Sequence, residues 1–138
     1  MRPGRNRSAG NDSRRYYDWI ERAKEDLEAA RLLLAHDVTR DAAAFHCQQC
    51  IEKALKGYLL YRTGNGADGH NLTWLCKQAI QSDARFYEWL DESAALNRYY
   101  IETRYPADIP MELTPERVER AFRMAESMYD FICREVPE

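Results

Sequence analysis

Residues 39–62 limit the fold more tightly than any other stretch of the chain. Ala43, Ala44, Cys47, Cys50, Ile51, Ala54, Leu55, Tyr58 and Leu59 recur at intervals of three and four with no proline among them, the period of an α-helix. Together they cover an arc much wider than one stripe, and a helix apolar over such an arc must be packed on two sides. The segment therefore predicts a central helix, so the rest of the chain has to supply its neighbours. Small residues at Ala43, Ala44, Cys47 and Gly57 permit another backbone to come close.

The neighbours are legible by the same periodicity. Tyr16, Trp19, Ile20, Ala23, Leu27, Ala30, Leu33 and Leu34 mark a helix over 14–35, with Arg22, Glu25, Asp26 and Glu28 read as its outward side and Asp12 or Ser13 as its cap. Only a few residues separate it from the central helix, which makes the two antiparallel neighbours. Thr63–Gly69, with Gly64, Asn65, Gly66 and Gly69, is a loop. A short helix over 71–81 carries Leu72, Leu75, Cys76 and Ala79, and a longer one over 83–104 carries Phe86, Leu90, Ala94, Asn97, Tyr100 and Ile101 until Pro106 halts it. Thr114-Pro115 opens the last, over 114–134. No segment alternates with period two, so no sheet is expected. The prediction is an all-α, up-and-down four-helix bundle with one additional short helix. It forms a single helical domain over 14–136, preceded by a flexible basic arm over 1–13 that carries Arg2, Arg5 and Arg7.

The formal net charge of −3, from 20 basic and 23 acidic residues, argues against the broad basic face of a protein that wraps DNA. No apolar run is long enough for a membrane span or a secretory leader, which predicts a cytoplasmic protein without membrane attachment. Nine tyrosines are a rich supply, suited to interfaces as well as to a core. Cys47 and Cys50 form a C-x-x-C, but no second pair completes a metal site. Both cysteines fall inside the helix, away from the N-terminal amides that stabilise a thiolate. They are read as packing residues, with no metal and no cofactor expected.

Two places hold polar groups that a plain bundle does not require. On the central helix His46, Gln49 and Lys53 form one stripe and Gln48, Glu52 and Lys56 another. Polar groups that such a helix buries need hydrogen-bond partners across the bundle or in a second subunit. At the end of the fourth helix stand Arg98, Arg104 and Tyr105. Arginines beside tyrosines suit a phosphate and a base; they equally suit the last carbonyls of the helix and Glu102.

Taken together, Trp19 with Ala23, Asp26, Leu27 and Ala30, then Phe45-His46-Cys47-Gln48-Gln49-Cys50-Ile51-Glu52-Lys53-Ala54-Leu55-Lys56, then His70-Asn71-Leu72, then Arg104-Tyr105-Pro106-Ala107-Asp108 resemble the HEPN family of helical domains over residues 15–135. The resemblance implies an up-and-down bundle that forms homodimers and frequently partners a small nucleotidyltransferase in a toxin–antitoxin or defence pair. Some relatives are metal-independent ribonucleases, with an arginine and, a few residues later, a histidine near the end of a late helix. In this chain Arg98 is followed by Arg104, and no histidine occurs after His70. Arg40 and His46 have a similar spacing but fall on the second helix. The sequence therefore reads as a non-catalytic, homodimeric nucleotide- or partner-binding module paired with a small nucleotidyltransferase. Its candidate anion- or nucleotide-binding residues are Arg98, Arg104, Tyr105, His46, Gln49 and Lys53. The alternative is a toxin-like, metal-independent endoribonuclease that uses His46 with Arg98 or Arg104 on RNA.

Overall fold

The structure, a computed structural model, describes residues 12–102 and 113–137, the side chains of residues 101 and 102 excepted. Helix α1 spans Tyr16–Leu33, and a 3-10 turn at Asp37–Thr39 leads into α2, Arg40–Thr63. Next come α3 (Leu72–Ser82), 3-10 turns over Ala84–Trp89, α4 (Leu90–Asn97), α5 (Tyr99–Glu102) and α6 (Pro115–Arg134). The described residues are all-α, as the periodicity predicts. None of their helices is long and apolar enough to cross a membrane.

Helix α2 is the axis of the bundle: α1 packs along it most extensively, and α6, α3, α5 and α4 all touch it. Its buried set includes Ala43, Ala44, Cys47, Cys50, Ile51, Ala54, Leu55, Tyr58 and Leu59, the residues whose breadth predicted two-sided packing. The α1–α2 pair is antiparallel, since Gly57 near the end of α2 meets Tyr16, Trp19 and Ile20 at the start of α1. A Cβ on Gly57 would sit 3.0 Å from the Trp19 Cβ, 3.1 Å from the Ile20 Cδ1 and 3.1 Å from the Tyr16 carbonyl oxygen, so glycine is what lets the two helices close at this end.

The boundaries follow local chemistry. Gly64 ends α2 in the left-handed region at φ 76°, with its N–H on the Leu60 carbonyl. Asn71 caps α3 by accepting from the Trp74 N–H, and Thr114 caps α6 by accepting from the Arg117 N–H with Pro115 in the first turn. The start of α1 corrects the sequence reading: its cap position is Arg15, without a side-chain cap bond. Ser13 instead accepts from the Arg15 N–H and donates to Asp18, fixing the chain just before the helix begins.

A second correction concerns the helix expected over 83–104. Asp83 accepts from the Arg85 N–H, a local turn that competes with α-helical bonding, and 3-10 turns run to Trp89. The α-helix then lasts only to Asn97, whose side chain is engaged outside the helix. Its Oδ1 receives the Leu72 N–H at 2.8 Å and its Nδ2 donates to Asn71. The helix breaks at Arg98 and resumes as α5. Residues 103 and 104, the end of that predicted helix, lie outside the described residues, as do residues 1–11 of the predicted arm.

Gly57→Ala is expected to destabilise the fold by about 1–3 kcal/mol through overpacking, outweighing a gain in helix propensity of about 1 kcal/mol. Thermal unfolding followed by circular dichroism checks this, and a variant melting at or above the wild-type temperature would contradict the close-packing account.

Candidate functional site

Helix α2 carries polar side chains on both sides of its apolar core, and each side is organised by one buried carboxylate. On the first side the carboxylate comes from α1. Asp26, 7% exposed, accepts from His46 Nδ1 at 2.7 Å through Oδ1 and from Lys53 Nζ at 2.7 Å through Oδ2. His46 and Lys53 are two turns apart on α2, which places both within reach of one acid on the facing helix. A carboxylate only accepts, so the proton of the His46 pair is assigned to Nδ1. That corrects the placement of Asp26 on the outward side of α1. Its spacing from Ala23 and Ala30 is three and four, and Ala23, Asp26, Leu27 and Ala30 form the buried face together.

On the second side the carboxylate is Glu52 of α2 itself. Its side chain is 6% exposed and receives Lys56 Nζ at 3.0 Å, His70 Nδ1 at 3.0 Å, Gln48 Nε2 at 3.2 Å and Gln49 Nε2 at 3.3 Å. Gln48 also donates to the His70 carbonyl, and Gln49 donates to the Gln48 oxygen. The predicted stripe His46–Gln49–Lys53 is thus divided: His46 and Lys53 go to Asp26, while Gln49 joins Glu52. His70, which the sequence flagged only within the family resemblance, belongs to the site through both its ring and its backbone.

The two sides meet in an aromatic strip. The His70 ring lies nearly parallel to Tyr100 of α5, centroids 4.2 Å apart and planes 16° apart. Phe45 stands 6.2 Å from Tyr100 and 5.7 Å from His46. Phe45, His46 and Tyr100 are half-buried and His70 is exposed, so part of the strip is open to solvent. Arg98 is exposed at the junction of α4 and α5, two residues before Tyr100. Arg104 and Tyr105 lie outside the described residues. Two grooves flank Trp19, one of about 140 Å³ that includes Arg14 and Lys56 and one of about 500 Å³ that includes Arg22 and Lys53. Neither is lined by His46, His70 or Arg98.

Cys47 and Cys50 sit in the core, where burial pushes the Cys47 thiol up to about 12 and the Cys50 thiol well above its ordinary range. Thiols held protonated at neutral pH neither attack nor ligate readily. Among the described residues no group of three or more histidines, cysteines and carboxylates is placed to hold a metal ion.

A family model described as HEPN domain matches residues 16–136. The chain is 28% identical over 127 residues to the Methanocaldococcus jannaschii protein named "Putative toxin MJ1304", covering 83% of each chain. It superposes on the crystal structure of TT1696 from Thermus thermophilus with a TM-score of 0.79 and 29% identity, covering 90% of this chain and 100% of that one. For ST0689, an archaeal HEPN homologue, the TM-score is 0.71 and the identity 26%, over 89% and 98% of the two chains.

Removing one partner from a buried ion pair leaves the other charge uncompensated, at a cost of about 3–5 kcal/mol. Glu52→Ala is accordingly expected to destabilise the protein by that order in urea unfolding, and Glu52→Leu with Lys56→Met to recover most of the loss. A single-variant cost below about 1 kcal/mol, the range of an exposed pair, would contradict the burial of this network. Separately, a thiol reagent at pH 8 is expected to spare Cys47 and Cys50 in folded protein and to modify both after denaturation; modification of Cys47 within the mixing time of the native protein would refute its placement.

Proposed function

The chain belongs to the HEPN domain family, and from that membership we propose that it is a homodimeric, non-catalytic binding module that holds a nucleotide or an RNA end on the aromatic strip and works beside a small nucleotidyltransferase. The observation that carries this reading is the His70–Tyr100 stack at 4.2 Å and 16°, continued by Phe45 and His46 and partly open to solvent. Aromatic faces of this kind take a base by stacking whatever its identity, and the Arg98 guanidinium nearby in the chain offers a planar fork of donors to a phosphate. Arg104 and Tyr105 extend the same chemistry in sequence.

The non-catalytic part rests on what the polar groups already do. Lys53 and Lys56 are each matched to a buried carboxylate, so neither is a spare cation for a transition-state phosphate. The late helices hold no histidine to move a proton near neutral pH. Exposed Trp74 and Tyr87 supply aromatic surface of the kind found at protein interfaces, in keeping with a homodimer. The name of the Methanocaldococcus jannaschii relative supports a place on the toxin-like side of a paired system.

A second reading, metal-independent endoribonuclease, is favoured by one observation. His46 and His70 both have Nδ1 fixed on a carboxylate, which turns Nε2 away from that carboxylate, as in acid–base catalysis supported by a third group.

Titration of ATP into wild type and Tyr100→Ala, with sedimentation at micromolar protein and an RNA cleavage assay without metal, separates these readings. The expected result is a dimer that binds ATP, with binding weakened about tenfold or more in Tyr100→Ala and no cleavage. Equal, negligible binding by both proteins would remove the nucleotide site. Cleavage lost in both His46→Ala and His70→Ala would establish the nuclease instead.

A further inference from the structure

Each of the two buried carboxylates beside α2 already has a cation of its own. Asp26 holds Lys53 at 2.7 Å and Glu52 holds Lys56 at 3.0 Å, so each carboxylate–ammonium pair is balanced before its histidine is counted. His46 joins the first pair at 2.7 Å and His70 the second at 3.0 Å. When either imidazole takes a proton, its cluster gains a positive charge that no carboxylate within it offsets.

The groups around the rings leave this change of charge to the histidines. Against His70 stand Glu52 and Lys56 of α2 and the Tyr100 ring of α5, with the neutral amides of Gln48 and Gln49 on the same carboxylate. Against His46 stand Asp26 of α1, Lys53 of α2 and the Phe45 ring. Cys47 and Cys50 of the same helix stay protonated, because burial raises both thiols. Arg22 of α1, which lines a groove with Lys53, lies 3.8 Å from Glu25, and Arg98 two residues before Tyr100 is a guanidinium, charged at every relevant pH. Of all these group types, only imidazole ordinarily changes charge between pH 5 and 8. The carboxylates take Nδ1 of both rings, so Nε2 is the nitrogen left for a ligand. The side chains have the access this needs, His46 at 32% exposed and His70 at 50%.

We propose that His46 and His70 make the aromatic strip a pH-gated anion site, binding the phosphate of a nucleotide through Nε2–H when protonated and leaving the strip to stacking and Arg98 when neutral. The inference rests on the nucleotide-binding reading of the strip and adds its regulation. The sign follows from the balanced pairs. A falling pH adds positive charge at two points of the strip, so affinity rises for an anionic ligand and not for an uncharged one. An imidazolium N–H on a phosphate oxygen is a charge-assisted bond, the stronger class. By linkage, a bound phosphate favours the protonated rings, so binding takes up protons.

The test titrates two probes into the full chain between about pH 8.5 and about pH 5.5, a span that brackets imidazole titration. One is the dinucleotide ApA, whose phosphodiester keeps its single negative charge throughout; the other is adenosine, which carries none. ApA affinity is expected to rise about tenfold or more as the pH falls, the scale of a hydrogen bond to a charged group, while adenosine affinity changes little. Calorimetry of ApA binding at neutral pH, in two buffers of different ionisation enthalpy, is expected to show net proton uptake. His46→Asn and His70→Asn keep an amide donor near the place of Nδ1 but cannot titrate. Each is expected to lose part of the rise, and the double variant to flatten it, with circular dichroism reporting that the helices are intact. ApA affinity independent of pH, or binding without proton uptake, overturns the proposal and leaves the nucleotide site standing. A folded double variant that keeps the wild-type rise overturns it too. Absence of binding of both probes by wild type at every pH removes the nucleotide site itself, and the gate with it.

Discussion

Glu52 sits inside the bundle on the helix that every other long helix touches, and the surrounding structure is built around satisfying it. A carboxylate taken out of water costs several kcal/mol unless charge and hydrogen bonds replace its hydration. Four side chains supply them: Lys56, Gln48 and Gln49 from α2 and His70 from the loop that follows. Holding His70 there fixes its carbonyl against Gln48 and places Asn71 to cap α3. The Leu72 N–H then meets Asn97, which is where α4 ends. One buried charge thus organises the loop, the start of a helix and the end of another.

The same economy shapes the other side of α2. Asp26 on α1 is satisfied by His46 and Lys53, so the closely packed α1–α2 pair is joined by an ionic bridge as well as by apolar contact. Close approach at Gly57 and the bridge at Asp26 lie on the same helix pair. Buried pairs of this kind are weak sources of net stability and stronger sources of geometric definition. The bridge lies on the same face of α1 as Ala23, Leu27 and Ala30, so ionic and apolar contacts agree on which side of α1 meets α2.

The aromatic strip is a by-product of these constraints. His70 is where it is because Glu52 holds it, and Tyr100 is beside it because α5 packs on α2. The partly open strip is therefore positioned by the polar network and by helix packing. A pre-arranged aromatic face would lose little side-chain entropy on binding, which suits the strip to the role proposed for it.

How much of this was legible in the sequence depends on the range of the forces involved. The apolar period fixed the all-α class, the central place of α2 and the antiparallel hairpin, because a helix repeats its burial every few residues and needs no distant information to do so. The loop over Thr63–Gly69 and the start at Thr114-Pro115 were equally readable, being set by local backbone preferences. The polar stripes on α2 were visible as stripes, but their division between Asp26 and Glu52 was not. That division depends on which acid faces α2 across the bundle, a contact between residues 20 or more positions apart. The break at Arg98 was hidden for the same reason: Asn97 is diverted by a backbone N–H 25 positions away in sequence. The sequence alone determined the helical class, the long helices α1, α2 and α6 and the charge; only the tertiary structure decided where the helix after α3 breaks and which charges are buried together, because burial in a bundle is settled by the rotation of one helix against another, a quantity no local pattern contains.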